Sequence, residues 1–329
     1  MIPRRLLFAS FFGLCLVSCG DSRPPAVASV TTVPVQSKVV GKPASDVRVA
    51  LIMKTLTNPF FVEMEKGARR AQEESGIDLK VQTATQETSI EQQIQLVEQE
   101  IAAKAKAIVI APGDSARLVP VLKKAQDAGI HVVNIDNRLN AQAMQAVDMK
   151  PVPFISVDNE AGAYKAAKFV ADKIVKPTEV AILEGIRTAD NAQQRRAGAE
   201  RAFKGNPHLK IVAQETAHWK IDEAYELIQR MFKAHPNIGV VFCANDMMAI
   251  GVVKFLQESG KREVLVAGFD ALDEAKTAIR AGQLAVTIDQ QASEQGYRGV
   301  VTALQMLRGE AVPMEVSVDT ALVTAQSLK

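Results

Sequence analysis

The sequence predicts an α/β protein of two similar Rossmann-like lobes, each a mostly parallel sheet covered by helices. Three observations carry this. From residue 47 onward, short β-branched runs alternate with longer amphipathic segments, the pattern of a parallel sheet between helical layers. The alternation comes as two successive series, and about 280 residues are available for them, enough for two lobes of ordinary size. The closing elements are too few for a third domain. They are expected to shuttle between the lobes as a multi-strand hinge.

In the first series, strands are expected near Val47–Met53, Leu79–Gln82, Ala107–Ala111 and His131–Ile135. Between them Phe61, Met64, Ala68 and Ala71 fall at helical spacing in a segment from Phe60 to Ser75 that Gly76 stops. Ile90, Ile94, Val97 and Ile101 make one apolar stripe, opened by Ser89 with Gln92 three residues on as a capping box. The second series opens at Phe154–Val157 and runs through Glu179–Leu183, Lys210–Gln214, Gly239–Cys243 and Val264–Ala267. Leu284–Ile288, a helix over Ala292–Arg308 and Glu315–Val318 close the chain. The N-terminal lobe is expected over 47–157 plus about 291–315, and the C-terminal lobe over 158–290 plus about 316–329.

Ahead of the first strand, Arg4 and Arg5 precede an apolar run from Leu6 to Val17, too short to span a bilayer comfortably and typical of a removable targeting segment. Leu16-Val17-Ser18-Cys19 resembles the lipobox of bacterial lipoproteins, in which the cysteine is acylated and becomes the first residue. The alternative is an ordinary signal peptide with an incidental cysteine. Residues 1–19 are thus expected to be a lipoprotein signal peptide. Residues 20–46, rich in Pro, Ser, Val and Thr, would form a flexible tether. Cys243 is the one cysteine beyond this region, so no internal disulfide is expected. With 39 Lys and Arg against 37 Asp and Glu there is no broad basic field, and nucleic acid is not an expected partner.

The chain contains no GxGxxG, Walker loop or GxSxG elbow. Ala111-Pro112-Gly113-Asp114 reads as a strand-to-helix turn. His131, His208, His218 and His235 show no metal-ligand spacing. No catalytic residue, metal or cofactor is expected. What stands out is the set of residues just after the expected strands: Asn58 with Phe60 and Phe61; Asp136, Asn137 and Arg138; Asn245 and Asp246; Asp270; and Gln290. Carboxylates there accept pairs of hydrogen bonds from hydroxyls, and Arg and Asn supply forked or mixed groups. Each Asp or Asn is alternatively a helix cap.

These motifs together resemble the type I periplasmic sugar-binding proteins, the ribose-binding protein and repressor-core family, from Val47 to the end. Val49-Ala50-Leu51-Ile52 followed by Asn58-Pro59-Phe60-Phe61 matches the family's first strand and aromatic loop. Val132 to Arg138 matches a strand ending in an acid and an arginine, with Asn137 as an apparent insertion between them. Phe242 to Gly251, Val266 to Asp270 and Val286 to Gln290 match three further motifs in the same order.

The resemblance implies that Phe60 or Phe61 stacks on a sugar while Asn58, Asp136 and Arg138 bind its hydroxyls. From the second lobe it implies Trp219 as the opposing aromatic, with Asn245, Asp270 and Gln290 as hydroxyl partners. Trp219 lies between polar His218 and Lys220, which suggests an exposed ring at a cleft; half-buried packing is the alternative. Asp190 to Gly198 resembles a helix start presenting an arginine. Arg195 is the counterpart, although some members carry the arginine at the position of Gln193, and Asn191 is a ligand group or a cap. Asp246 reads as a helix N-cap.

The implied function is capture of a monosaccharide or polyol between closing lobes for delivery to an ABC-type permease, without any bond being made or broken. The protein would lie in the periplasm or on the outer face of the cell membrane, held there by lipid on Cys19. A repressor of this fold would need a DNA-binding headpiece where the signal segment stands. Two alternatives remain: a partner of a sensor or chemoreceptor, and an exported sugar hydrolase using Asp136 and Asp270 as paired carboxylates.

Overall fold

A computed structural model describes residues 47–329; the expected signal segment, the tether and Cys19 lie outside the described residues. The elements run β1 (Arg48–Met53), α1 (Pro59–Ser75), β2 (Asp78–Thr83), α2 (Ile90–Ala102), β3 (Ala107–Ile110), α3 (Val119–Asp127), β4 (His131–Ile135), α4 (Ala141–Ala146), β5 (Phe154–Val157) and α5 (Asn159–Ala171). They continue with β6 (Thr178–Glu184), α6 (Asp190–Lys204), β7 (Leu209–Thr216), α7 (Ile221–Ala234), β8 (Ile238–Cys243), α8 (Asp246–Glu258), β9 (Leu265–Ala267), α9 (Asp273–Arg280), β10 (Val286–Asp289), α10 (Ala292–Leu307), β11 (Glu315–Val318) and β12 (Ala321–Thr324).

Two six-stranded sheets result, in the orders β2-β1-β3-β4-β5-β11 and β7-β6-β8-β9-β10-β12. The winding is the same in both, and every pair is parallel except β10 with β12. The sequence reason lies in the central strands: β3 (AIVI) and β5 (FISV) are buried along their whole length, as strands covered on both faces must be. Both sheets reverse their order between the first and third strands wound. Open sheets of this kind bind ligands outside the carboxyl ends of their strands, near that switch point.

The chain crosses between the sheets after β5, after β10 and between β11 and β12. The lobes share a packing scheme. The helix after the first strand packs on a helix reached by crossing: α1 on α10, and α6 on α5. In the second pair, a Cβ at Gly198 would lie 2.2 Å from the Glu160 carbonyl oxygen, so glycine sets the approach.

Four details differ from the sequence reading. Phe154–Val157, which opens the second series along the chain, pairs with β4 and β11 and belongs to the first sheet. The strand β11 stays in that sheet through Val318, so the crossing expected near 315 falls after it. The strand β12 was not foreseen; it is short, only partly buried and antiparallel, and its apolar run is three residues, Ala321 to Val323. Ser89 makes no side-chain cap on α2: its hydroxyl meets that of Thr85 at 3.2 Å, and Gln92 Oε1 accepts from the Thr85 N–H and hydroxyl at 2.8 and 2.9 Å. By contrast α1 ends as expected: Gly76 adopts φ 70° and its N–H donates to Gln72 O at 2.8 Å.

Candidate functional site

The polar residues at the strand exits converge on a small cavity between the carboxyl ends of the two sheets. The first lobe lines it with Lys54, Asn58, Phe60, Phe61, Glu87 and Asp136, and the second with Asn191, Arg195, Trp219, Asn245, Asp270 and Gln290.

In the first lobe, β1 delivers its last apolar residue, Met53, directly to Lys54. The Lys54 Nζ lies 2.8 Å from Asp136 Oδ2, 4.0 Å from Glu87 Oε2 and 5.5 Å from the centre of the Phe61 ring. Asn58 is both cap and wall: its Oδ1 accepts from Phe60 N–H at 3.1 Å while its Nδ2 donates to Glu87 Oε1 at 3.0 Å. That division resolves the choice between cap and ligand group, because an amide has two ends. Burial pushes the Glu87 carboxyl above its usual range, with Lys54 and Asn58 pulling the other way. Phe60 and Phe61 meet edge to face, centroids 5.0 Å apart, and both rings reach the cavity.

In the second lobe, Arg195 is held at 2.8 Å by Asn159 Oδ1, at 2.9 Å by Ala244 O and at 3.3 Å by Gln290 Oε1. Its guanidinium lies 3.9 Å from the centre of the Phe269 ring, a stacking that suits a desolvated planar cation. Burial lowers its affinity for the proton, and Asp270, whose Oδ1 lies 3.5 Å away, opposes that. Gln290 Nε2 donates to Asp270 Oδ1 at 2.7 Å. Burial holds the Asp270 carboxyl well above the usual carboxylate range despite Arg195. Asn245 Oδ1 caps α8 through Met248 N–H at 2.9 Å, and its Nδ2 donates to Trp219 O at 3.3 Å.

Three wall residues hold backbone conformations that L residues rarely adopt: Asp136 at φ 62°, Trp219 at φ 69° and Asp270 at φ 126°. Strain of this kind gathers where a side chain must be aimed. The buried Asp246 shows how Asp270 is aimed. Its Oδ1 accepts from Thr287 Oγ1 at 2.7 Å and its Oδ2 from Leu272 N–H at 2.9 Å, which clamps the loop around Asp270. Burial pushes its carboxyl up to about 6. The N-cap role expected for Asp246 thus belongs to Asn245, and Asp246 braces the loop.

Arg138 is the one expected site residue outside the cavity. Asp136 turns the chain left-handed, and Arg138 then points outward, 39% exposed, paired with Glu315 and with its guanidinium 4.1 Å from the Phe154 ring centre. The cation beside Asp136 is Lys54 instead. Gln193 is exposed and donates to Arg187 O, whereas Arg195 enters the cavity. Trp219 is only 4% exposed, not the open ring expected. It packs so closely on Gly185 that a Cβ there would lie 2.0 Å from the indole. Its Nε1 and the Asn191 Oδ1 are buried without a hydrogen-bond partner among the described residues. The sequence reading missed Lys54 and Glu87. A lysine immediately after a fully buried strand was a legible signal for the first; Glu87, in a polar loop, gave none.

Residues 49–311 match the family model described as periplasmic binding protein domain. The chain belongs to the periplasmic binding protein family. Membership implies an extracytoplasmic place for the folded body. The D-ribose/D-allose-binding protein of Pseudomonas aeruginosa is 39% identical over 285 residues, covering 84% of this chain and 89% of that protein. The D-allose-binding periplasmic protein of Escherichia coli K12 is 32% identical over 283 residues, covering 84% and 91%. Among solved structures, an ABC transporter periplasmic solute-binding protein from Actinobacillus succinogenes with bound D-allose superposes with a TM-score of 0.81 at 38% identity, covering 86% of this chain and 99% of that one. The two-lobed α/β architecture is thus common to this family member and its structural relative.

Proposed function

We propose that the protein captures one neutral aldose, of the D-allose or D-ribose class, between its lobes and delivers it to an ABC-type permease. The observation that carries the reading is the cavity wall itself. Aromatic rings from both lobes line one small cavity, and charged and amide groups around it are already oriented by bonds to one another. Lys54 and Arg195 face the three carboxyls of Glu87, Asp136 and Asp270, which disfavours an anionic sugar acid. Charge-assisted hydrogen bonds to hydroxyls, each about 1.5–3 kcal/mol, need only a few members to reach the roughly 8 kcal/mol of micromolar binding. Asn58, Asn191, Asn245 and Gln290 add mixed donors and acceptors, and the crossing segments serve as the hinge. Named relatives that bind D-allose or D-ribose support the choice of sugar.

Residues 47–329 are expected to melt several degrees higher with D-allose or D-ribose than without, since a ligand bound only by the folded form raises its stability. Calorimetry against a panel of aldoses, polyols and sugar acids checks this. No shift with any neutral sugar, or turnover of a glycoside, would overturn the reading. The signal segment and Cys19 support anchoring by lipid at the cell envelope. Mass spectrometry of membrane fractions is expected to find the chain beginning at acylated Cys19; a soluble mature form lacking lipid would remove the anchor.

A further inference from the structure

Helix α6 carries two cavity residues, Asn191 and Arg195, yet begins without a cap of its own. Its N-cap position is Ala189, which has no side-chain acceptor. Asn58, Asn140, Asp158 and Asn245 by contrast cap α1, α4, α5 and α8 with their own oxygens. Around the start of α6, Ala189 N–H donates to Ile186 O, and the N–H groups of Ala192 and Gln193 donate to Ala189 O. That leaves the N–H groups of Asp190 and Asn191. Both are satisfied from the other lobe: Ser115 Oγ accepts from Asp190 N–H at 2.9 Å, and Asn137 Oδ1 accepts from Asn191 N–H at 3.2 Å. The backbone joins in, with Ser115 N–H donating to Thr188 O at 3.2 Å.

The two acceptors are fixed within their own lobe. Asn137 Nδ2 donates to Pro112 O at 3.0 Å and to Ser115 Oγ at 3.2 Å, and Asn134 Nδ2 donates to Asn137 O at 2.8 Å. All three side chains are buried, and neither Ser115 nor Asn137 lines the cavity. A helix N-terminus exposes donors that need acceptors. Here the acceptors wait, rigidly held, on the opposite wall of the cleft.

We infer that Ser115 and Asn137 are positioning residues that cap α6 across the cleft, so that docking of the lobes fixes the helix presenting Asn191 and Arg195 to the sugar. The inference rests on the sugar-binding reading of the site. It assigns their bonds to α6 to the stability of the closed complex, not to that of the separate lobes. When the lobes part, water takes the place of both oxygens at the two amides, so the free protein loses little.

The test uses D-allose and D-ribose as probes and the fluorescence of Trp219, the single tryptophan, as a stopped-flow signal. In Ser115→Ala and in Ser115→Ala/Asn137→Ala the off-rate is expected to rise roughly five- to thirty-fold, from the usual worth of a helix cap. In Ser115→Ala the on-rate and the melting of the sugar-free protein stay at wild-type values, whereas the double variant, which also strips Pro112 O of its donor, melts lower; Ser115→Thr, which keeps the hydroxyl, keeps the wild-type off-rate. Amide exchange at Asp190 and Asn191 slows when sugar is added to wild type but not to the double variant. A wild-type off-rate in the double variant overturns the inference, as does a Ser115→Ala loss that appears equally in the on-rate and in sugar-free melting. If wild type takes neither sugar, the sugar reading fails, and the cap falls with it because there is no occupied closed state for it to hold.

Discussion

Asp270→Ala is expected to weaken D-allose binding roughly 100- to 1,000-fold, measured by calorimetry on residues 47–329. The carboxylate is buried, accepts from Gln290 at 2.7 Å and lies 3.5 Å from Arg195, so its loss removes a sugar acceptor and leaves two buried donors without their anion. The fold should survive, because Arg195 keeps Asn159 Oδ1 and Ala244 O. The pH dependence separates this from general damage. Burial raises the folded-state pKa of Asp270 well above its ordinary 3.8. The folded protein therefore binds this proton more readily than the unfolded chain. The stability so gained is fully present below about pH 4 and is lost as pH rises through the folded value. Wild type should thus gain on Asp270→Ala in melting temperature as the buffer is acidified toward pH 4. Equal affinity in wild type and variant would remove Asp270 from the site; a difference in melting that shrinks on acidification would show that burial does not control its proton.

What the sequence disclosed and what it hid divide along a physical line. Strands buried on both faces must be apolar runs, so β1, β3, β4 and β8 were legible to within one residue at each end, and polar groups that end such runs were legible as candidates. Eleven residues were expected to bind ligand, and Arg138 alone lies outside the cavity. Asp136 stands at φ 62°, a left-handed conformation that aspartate tolerates but does not dictate, and Arg138 two residues on pairs with Glu315 outside the cavity. Asn137, read as an insertion, turned out to face the other lobe, a contact between residues 54 positions apart that no local pattern records. Edge strand β12 was hidden for a different reason: at four residues and half exposed, its run from Ala321 to Val323 is too short to stand out.

Lys54→Met is expected to cost about 3–5 kcal/mol of stability, the usual penalty for removing one partner of a buried ion pair, and so to lower the melting temperature by roughly 10 °C. The side chains of Lys54 and Asp136 are 3% and 2% exposed and 2.8 Å apart. Without the ammonium, Asp136 retains only a long contact from Asn191 Nδ2 at 3.5 Å. Asp136→Asn strands a buried cation instead, with partial relief from Glu87 at 4.0 Å. The double variant Lys54→Met/Asp136→Asn leaves neither charge, so it should be more stable than Lys54→Met alone, and the cycle should show a coupling of a few kcal/mol. Binding behaves differently: all three variants are expected to lose the sugar, because the carboxylate and ammonium are needed at the cavity wall and not merely compensated. A Lys54→Met protein that melts like wild type would show the pair to be solvated. A double variant that recovered both stability and affinity would make the pair structural alone. Loss of affinity with recovery of stability is the outcome that a binding role requires, because hydrophobic replacement of a buried pair is often neutral for a fold. The pair would then be retained for what it offers a hydroxyl: an acceptor and a donor fixed side by side before the sugar arrives.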